Sequence, residues 1–186
     1  VNRANNNNRS SNSNNRFNNN SINTKKYSNG TYTGNVKNNL ENGYGTFIWD
    51  NGAIYKGDWV DGFRTGKGKY TWVDGNVYEG DWVKDKKSGK GKFTWNKSGN
   101  IYEGDFVNGA MTGKGKFTYR NSGGVYEGDF VNLNFTGKGK YTWRNGDVFE
   151  GAFNNDVKGK GRMYFESKGK IEFGKFKKNG KWKSSY

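Results

Sequence analysis

The sequence predicts an all-β chain, a tandem array of antiparallel β-hairpins, and three observations carry that prediction. An aromatic residue followed two places later by glycine recurs at Tyr32, Tyr55, Tyr78, Tyr102, Tyr126 and Phe149, at intervals of 23 or 24 residues. A fixed period of that size marks an array of small stacked units. Within each unit the residues alternate between aromatic or glycine and charged, as in Tyr78-Glu79-Gly80-Asp81-Trp82 and again in Gly89-Lys90-Gly91-Lys92-Phe93-Thr94-Trp95. A period of two is that of a strand. Helical periodicity is missing, and glycine recurs so often that a helix would lose about 1 kcal/mol at each one.

Taken in order, residues 1–31 form an Asn/Ser-rich basic tail with almost nothing apolar to bury, and disorder is expected there. Residues 32–171 hold six full repeats. In the first five a second Gly-x-Gly element follows the aromatic by 11 residues, at Gly43, Gly66, Gly89, Gly113 and Gly137; in the sixth, at Gly159, the offset is 10. Antiparallel pairing within a unit is expected to set aromatics against glycines on one face and Glu or Asp against Lys on the other, each cross-strand pair being worth about 0.2–1 kcal/mol. Asn51-Gly52, Asp74-Gly75 and Asn145-Gly146 between units read as tight turns with two positive-φ residues. The extra residue of the longer repeats falls in this same connection, at Asn96-Lys97-Ser98-Gly99-Asn100 and around Arg120, where it spares the strand register. In the fifth repeat Asn132-Leu133 stands in place of a loop glycine, and a local change is expected. Residues 172–186 are a partial, Lys-rich seventh repeat or cap, with Glu172 where Tyr is expected and Phe173 where Glu is expected.

Composition limits the function. Of 186 residues 30% are hydrophobic, and more than half of those are Phe, Tyr or Trp, so a thick aliphatic core is excluded. The chain has no Cys and no His, which removes disulfides, thiolate metal sites and the usual general base. Glu79, Glu103, Glu127 and Glu150 recur once per repeat, whereas a catalytic dyad would occur once. They read as a solvated ladder. The Gly-Lys-Gly series matches neither a phosphate loop nor a dinucleotide fingerprint, both of which need a helix after the glycines. No enzyme, no metal and no cofactor is expected.

The net charge of +15 sits at the ends. Before Tyr32 there are five basic groups and no acid; from Val157 onward there are ten basic and two acidic groups; between them 17 face 15. Such ends attract acidic lipid or other polyanions through a field that salt screens. Specific nucleic-acid binding is not expected, because lysines and rings are placed on opposite faces of the sheet. Without an apolar run near Val1 the expected location is cytoplasmic, peripheral at membrane or cytoskeleton, and Val1 in place of Met points to a piece of a longer product.

The pattern Tyr-Glu-Gly-Asp-Trp-Val, then Gly-Lys-Gly-Lys-x-Thr-Trp, then Asp-Gly-x-x-Tyr-Glu-Gly resembles the MORN (membrane occupation and recognition nexus) repeat, in phase over all six copies. The resemblance implies an elongated single-layer antiparallel sheet, one hairpin per repeat, with one side forming a shallow groove. It also implies an interaction module. Members occur in cytoskeletal and ciliary scaffolds, in junctional membrane proteins, and beside the catalytic domains of certain plant phosphatidylinositol phosphate kinases and some lysine methyltransferases.

On this reading the chain is a non-catalytic scaffold that holds a protein partner, such as a helix, along an aromatic-lined groove. The partner-binding candidates are Tyr55, Trp59, Tyr78, Trp82, Tyr102, Phe106, Tyr126 and Phe130 from first strands, with Trp72, Trp95, Tyr119 and Trp143 from second strands. The same rings must also supply whatever core exists. The alternative is attachment to acidic phospholipid or phosphoinositide membrane through Lys168, Lys170, Lys175, Lys177, Lys178, Lys181 and Lys183, and a further one is the accessory region of a larger enzyme. Lysines at a sheet end equally discourage edge pairing, while open ends offer a route to end-to-end oligomers.

Overall fold

The computed structural model describes residues 22–185. They form one fifteen-stranded antiparallel sheet in which every strand pairs only with its neighbours in sequence. The strands are β1 (Asn23–Tyr27), β2 (Gly30–Lys37), β3 (Leu40–Trp49), β4 (Ile54–Val60), β5 (Phe63–Thr71), β6 (Val77–Val83), β7 (Lys86–Thr94), β8 (Ile101–Val107), β9 (Ala110–Thr118), β10 (Val125–Val131), β11 (Asn134–Thr142), β12 (Val148–Asn154), β13 (Val157–Phe165), β14 (Lys170–Phe176) and β15 (Trp182–Ser184). The all-β array of hairpins is as expected, with one hairpin per repeat from β2–β3 to β12–β13 and an incomplete seventh, β14–β15. Among the described residues the only helical turn is a 3-10 segment at Glu166–Lys168.

Ordered sheet begins earlier than the sequence suggests. Within the stretch expected to be disordered, β1 pairs along its length with β2, Tyr27 opposing Gly30 and Asn23 opposing Gly34. Tyr27 also packs against Phe47 and donates its hydroxyl to Glu41, which Lys25 approaches at 3.5 Å. A single aromatic and a lysine with a buried carboxylate to satisfy are enough to hold this polar strand. The expectation for residues 1–21 lies outside the described residues.

The pairing differs in detail from the simple expectation. Rings oppose rings and glycines oppose glycines: Tyr78 faces Phe93, and Gly80 faces Gly91. The tyrosine ring then folds over the glycine pair, so that a Cβ on Gly91 would sit 2.5 Å from Tyr78 Cε2. Its hydroxyl ends on the carbonyl of Asp81 at 2.7 Å. Glycine is required here because an aromatic side chain fills the place of its Cβ.

The turns are also distributed differently. The Asn-Gly and Asp-Gly connections between repeats are three-residue loops with one left-handed residue, the glycine; Trp72 N–H bonds to Asn76 O and Gly75 N–H to Trp72 O. A type I turn closed by a left-handed residue explains this. The tight two-residue turns with both φ positive lie inside the repeats, as at Lys84-Asp85 (45° and 67°) and Asn132-Leu133 (47° and 71°). The local change expected at Asn132-Leu133 is therefore confined to a leucine in a left-handed conformation, while the turn keeps its form. These turns are tied from repeat to repeat, Asp85 N–H to Arg64 O and Leu133 N–H to Met111 O. The extra residue of the longer repeats does lie in the loops after Trp95 and Tyr119, as expected.

Each repeat bends at a bulge beside its glycine pair, between Gly57 and Trp59 or Gly80 and Asp81. A bulge kinks the strand and increases its twist. Repeated along the ribbon, it curves a sheet only one layer thick.

Candidate binding faces

The two faces of the ribbon have separate chemistries. On the first, from the second repeat onward each leading ring is clamped between two others, in edge-to-face contact with the ring four residues on and with that ring's counterpart in the following unit. Tyr55 meets Trp59 at 5.1 Å and Trp82 at 5.3 Å, and Tyr102 meets Phe106 at 5.4 Å and Phe130 at 4.9 Å. Such contacts add about 0.5–1.5 kcal/mol beyond area burial. Burial lifts the hydroxyl pKa of these tyrosines, to about 12 for Tyr102 and Tyr126. A second lane of rings runs beside the first, from Trp49 to Tyr70 at 5.2 Å, Trp72 to Phe93 at 5.3 Å and Trp95 to Phe117 at 5.4 Å.

These lanes divide the sequence-derived candidates. Tyr55, Trp59, Tyr78, Trp82, Tyr102, Phe106, Tyr126 and Phe130 are buried, the most exposed of them at 5%. They are the core of a one-layer protein. Trp72, Trp95, Tyr119 and Trp143 are half-buried and line the edge nearest the loops. Eight of the twelve rings expected to line an aromatic groove are therefore buried, because with no second layer to cover them the rings bury one another.

Strict separation of cations from rings also fails at one position in three of the six repeats. Arg64 lies 4.7 Å from the Trp82 ring centroid, Lys87 5.1 Å from Phe93 and Lys158 4.2 Å from Tyr141. Each opposes the ring that ends the first strand, as Lys87 opposes Trp82; in the fourth and fifth repeats the place belongs to Met111 and Phe135. Burial pulls the amines of Lys87 and Lys158 below the usual lysine range. Carrying the period of two from Gly91 and Gly89 back to Lys87 would have located this residue.

The opposite face carries the lysines of the Gly-Lys-Gly series and the acids, as expected. Lys67 pairs with Asp81, Lys90 with Asp105 and Lys114 with Asp129, each at 2.5 Å, and Lys140 reaches Glu127 at 3.0 Å. Lysine hydrogen bonds hold the carboxyls of Asp105, Asp129 and Glu127 below their ordinary range. The same aspartates accept a backbone N–H across the bulge, that of Lys114 at 2.8 Å for Asp105.

Two long grooves lie on this charged face. One, of about 930 Å³, crosses β3 to β8, floored by the backbone of Gly57, Gly68, Gly80 and Gly91 and walled by lysines and glutamates. The other, of about 940 Å³, crosses β9 to β14, with Ser185 at its far end. Smaller concavities on the ring face sit at the two ends, beside Trp49 and beside Trp143. Nothing among the described residues groups three or more acids, histidines or cysteines as a metal site.

The seven C-terminal lysines do not share a face. Lys168 lies over the Phe165 ring at 5.1 Å and Lys170 pairs with Glu172 at 3.0 Å. Lys177, Lys178 and Lys181 belong to the β14–β15 turn, which Lys177 N–H closes onto Lys181 O. Only Lys175 and Lys183 stand together, opposite each other in register. In the seventh unit Phe176 and Trp182 close the ring lane at 5.2 and 6.1 Å from Phe149, while Glu172 accepts the Trp182 indole N–H at 3.1 Å.

The MORN repeat model matches residues 32–54, 55–77, 78–99, 102–124, 126–148 and 149–170. The chain belongs to the MORN-repeat family. No curated protein matches it significantly. Among solved structures, this MORN-repeat chain is similar to the TCP domain of SAS-4 (dCPAP) in complex with a proline-rich motif of Ana2 (dSTIL) of Drosophila melanogaster, at 12% identity and a TM-score of 0.34 over 70% of this chain and 83% of that one. It is also similar to the TCP10c domain of Drosophila melanogaster Sas-4, at 13% identity and a TM-score of 0.29 over 70% of this chain and 91% of that one. Likenesses this distant carry no functional argument.

Proposed function

We propose that this MORN-repeat chain is a non-catalytic scaffold that holds a protein partner along the charged face. The observation that supports it is the groove crossing β3 to β8, floored by glycine backbone and bounded by Lys56, Lys69 and Lys92. A segment laid there meets polar walls and an accessible main chain, while the rings beneath keep the ribbon rigid. Half-buried Trp72 and Trp95 give the loop edge a second, apolar contact. Attachment to acidic membrane through the C-terminal lysines has less support, since those lysines are divided between the faces and the last turn.

The test is affinity capture with immobilised wild-type chain, with a Lys56→Ala/Lys69→Ala variant and with Trp95→Ala, after circular dichroism has shown each to be folded. The expected result is a partner held by wild type and by Trp95→Ala, and weakened about fivefold or more when the two groove lysines are removed. A partner lost on Trp95→Ala and indifferent to the lysines would move the site to the ring face and overturn the groove reading.

A further inference from the structure

One row of side chains on the charged face alternates in sign from strand to strand until it reaches β12. Lys67–Asp81, Lys90–Asp105 and Lys114–Asp129 repeat the same contact at 2.5 Å. The next lysine, Lys138, opposes Ala152. Beyond it Lys160 opposes Lys175, and Lys175 opposes Lys183. From β11 to β15 the row thus holds four lysines, and among the described residues no carboxylate forms an ion pair with any of them. Like charges directly across a ladder are destabilising.

The surroundings define what would neutralise them. Lys138 and Lys160 line the 940 Å³ groove, whose own carboxylates are engaged: Glu127 by Lys140 at 3.0 Å, and Glu150 by Arg162 Nε at 2.8 Å. Phe173, 63% exposed, is the one aromatic ring in the groove lining. Neighbouring strands are about 4.8 Å apart, so four strand steps from Lys138 to Lys183 span about 19 Å, the length of about six extended residues.

We propose that this C-terminal half of the charged groove docks an extended acidic segment of a partner protein, whose carboxylates continue the ladder that the chain abandons at Ala152. The inference rests on the scaffold reading and names the chemistry of the partner. The chain's own lysines of this row take aspartate at 2.5 Å, so a carboxylate is the group the spacing already suits. A bilayer, being flat, has poorer access to a concave floor. A single-stranded nucleic acid would find one ring to stack on, where such platforms use several.

The test is fluorescence anisotropy of the full chain with a labelled oligo-aspartate peptide of about six residues, the length set by the strand spacing. Anionic phosphatidylserine vesicles and oligothymidylate are measured in parallel. The decisive variant is Ala152→Asp, which places on β12 the carboxylate that earlier repeats possess; Lys160→Ala is a second variant that leaves β12 unchanged. Salt-sensitive peptide binding that falls about tenfold in either variant is the expected result. No peptide binding, equal binding by wild type and both variants, or variant-sensitive binding of vesicles or oligothymidylate without the peptide would each overturn it. Because partner capture is scored on Lys56 and Lys69, the scaffold reading stands or falls separately.

Discussion

The second to fifth repeats and the sixth share a hairpin but bend it in different ways. In the central repeats the bulged strand carries two extra residues: Gly57 opposes Gly68, and two residues later Trp59 opposes Arg64. A glycine with positive φ makes the bend, Gly113 at 106° in the fourth repeat, and an aspartate bonds across it. In the sixth repeat Gly151 opposes Gly161 and Phe153 opposes Lys158, so one residue fewer is looped out. Gly159 has no positive φ and Ala152 replaces the aspartate. A shorter bulge needs no side-chain cap, and with the cap goes the carboxylate that would have paired with Lys138. The shorter bulge and the alanine thus go together with a Lys138 that has no carboxylate opposite it.

The largest effect should come from what both kinds of repeat keep. Tyr102→Ala empties a slot between Phe106 and Phe130, and Phe149→Ala one between Phe153 and Phe176. Each should cost about 3–5 kcal/mol in urea unfolding. Unequal losses would mean that the ring lane is not one continuous core.

A smaller effect separates the two bends. Gly113→Ala forces a side chain into a left-handed backbone with its Cβ 2.8 Å from Asp105 Oδ2, and about 1–3 kcal/mol of destabilisation is expected. At Gly159 the nearest atom to a new Cβ is Ala152 O, at 3.3 Å, so Gly159→Ala should stay within about 0.5 kcal/mol of wild type. Equal thermal shifts for the two would erase the distinction.

The smallest effect is in acid. Asp105 and Asp129, held low by lysine hydrogen bonds, contribute stability that is fully present above the ordinary aspartate pKa of about 3.9 and is lost as pH falls through their depressed folded values. Asp105→Ala, which copies the sixth repeat into the fourth, should lower stability at pH 7 by about 1 kcal/mol or less and flatten the acid limb of a Tm-against-pH curve. A variant whose acid limb matched wild type would show that these pairs contribute nothing to the fold.

Much of this was legible without coordinates. The period, the alternation and the glycines dictate hairpins, because only a strand pairs Lys92 and Glu103 on one side while sending Phe93 to the other. The sixth repeat's missing aspartate is likewise visible in the letters Phe149-Glu-Gly-Ala-Phe153, and its shorter offset in the distance from Phe149 to Gly159. What was misread has a common cause. Dipeptides place the tight turns between repeats, yet Lys84-Asp85 makes one within a repeat and without glycine because the flanking strands demand it. The alternation does not say which of the twelve candidate rings stay accessible, and eight of them are buried.

The sequence by itself determined the repeat, the segregation of acids and Gly-Lys-Gly lysines to one side and the family, since these follow from local alternation at a fixed period. Only the tertiary structure decided which residues remain available. Burial depends on what neighbouring repeats place above a ring, and free charge on whether the next strand supplies a counter-ion. Both are properties of strands stacked side by side, and Tyr102 and Lys138 acquire their roles there.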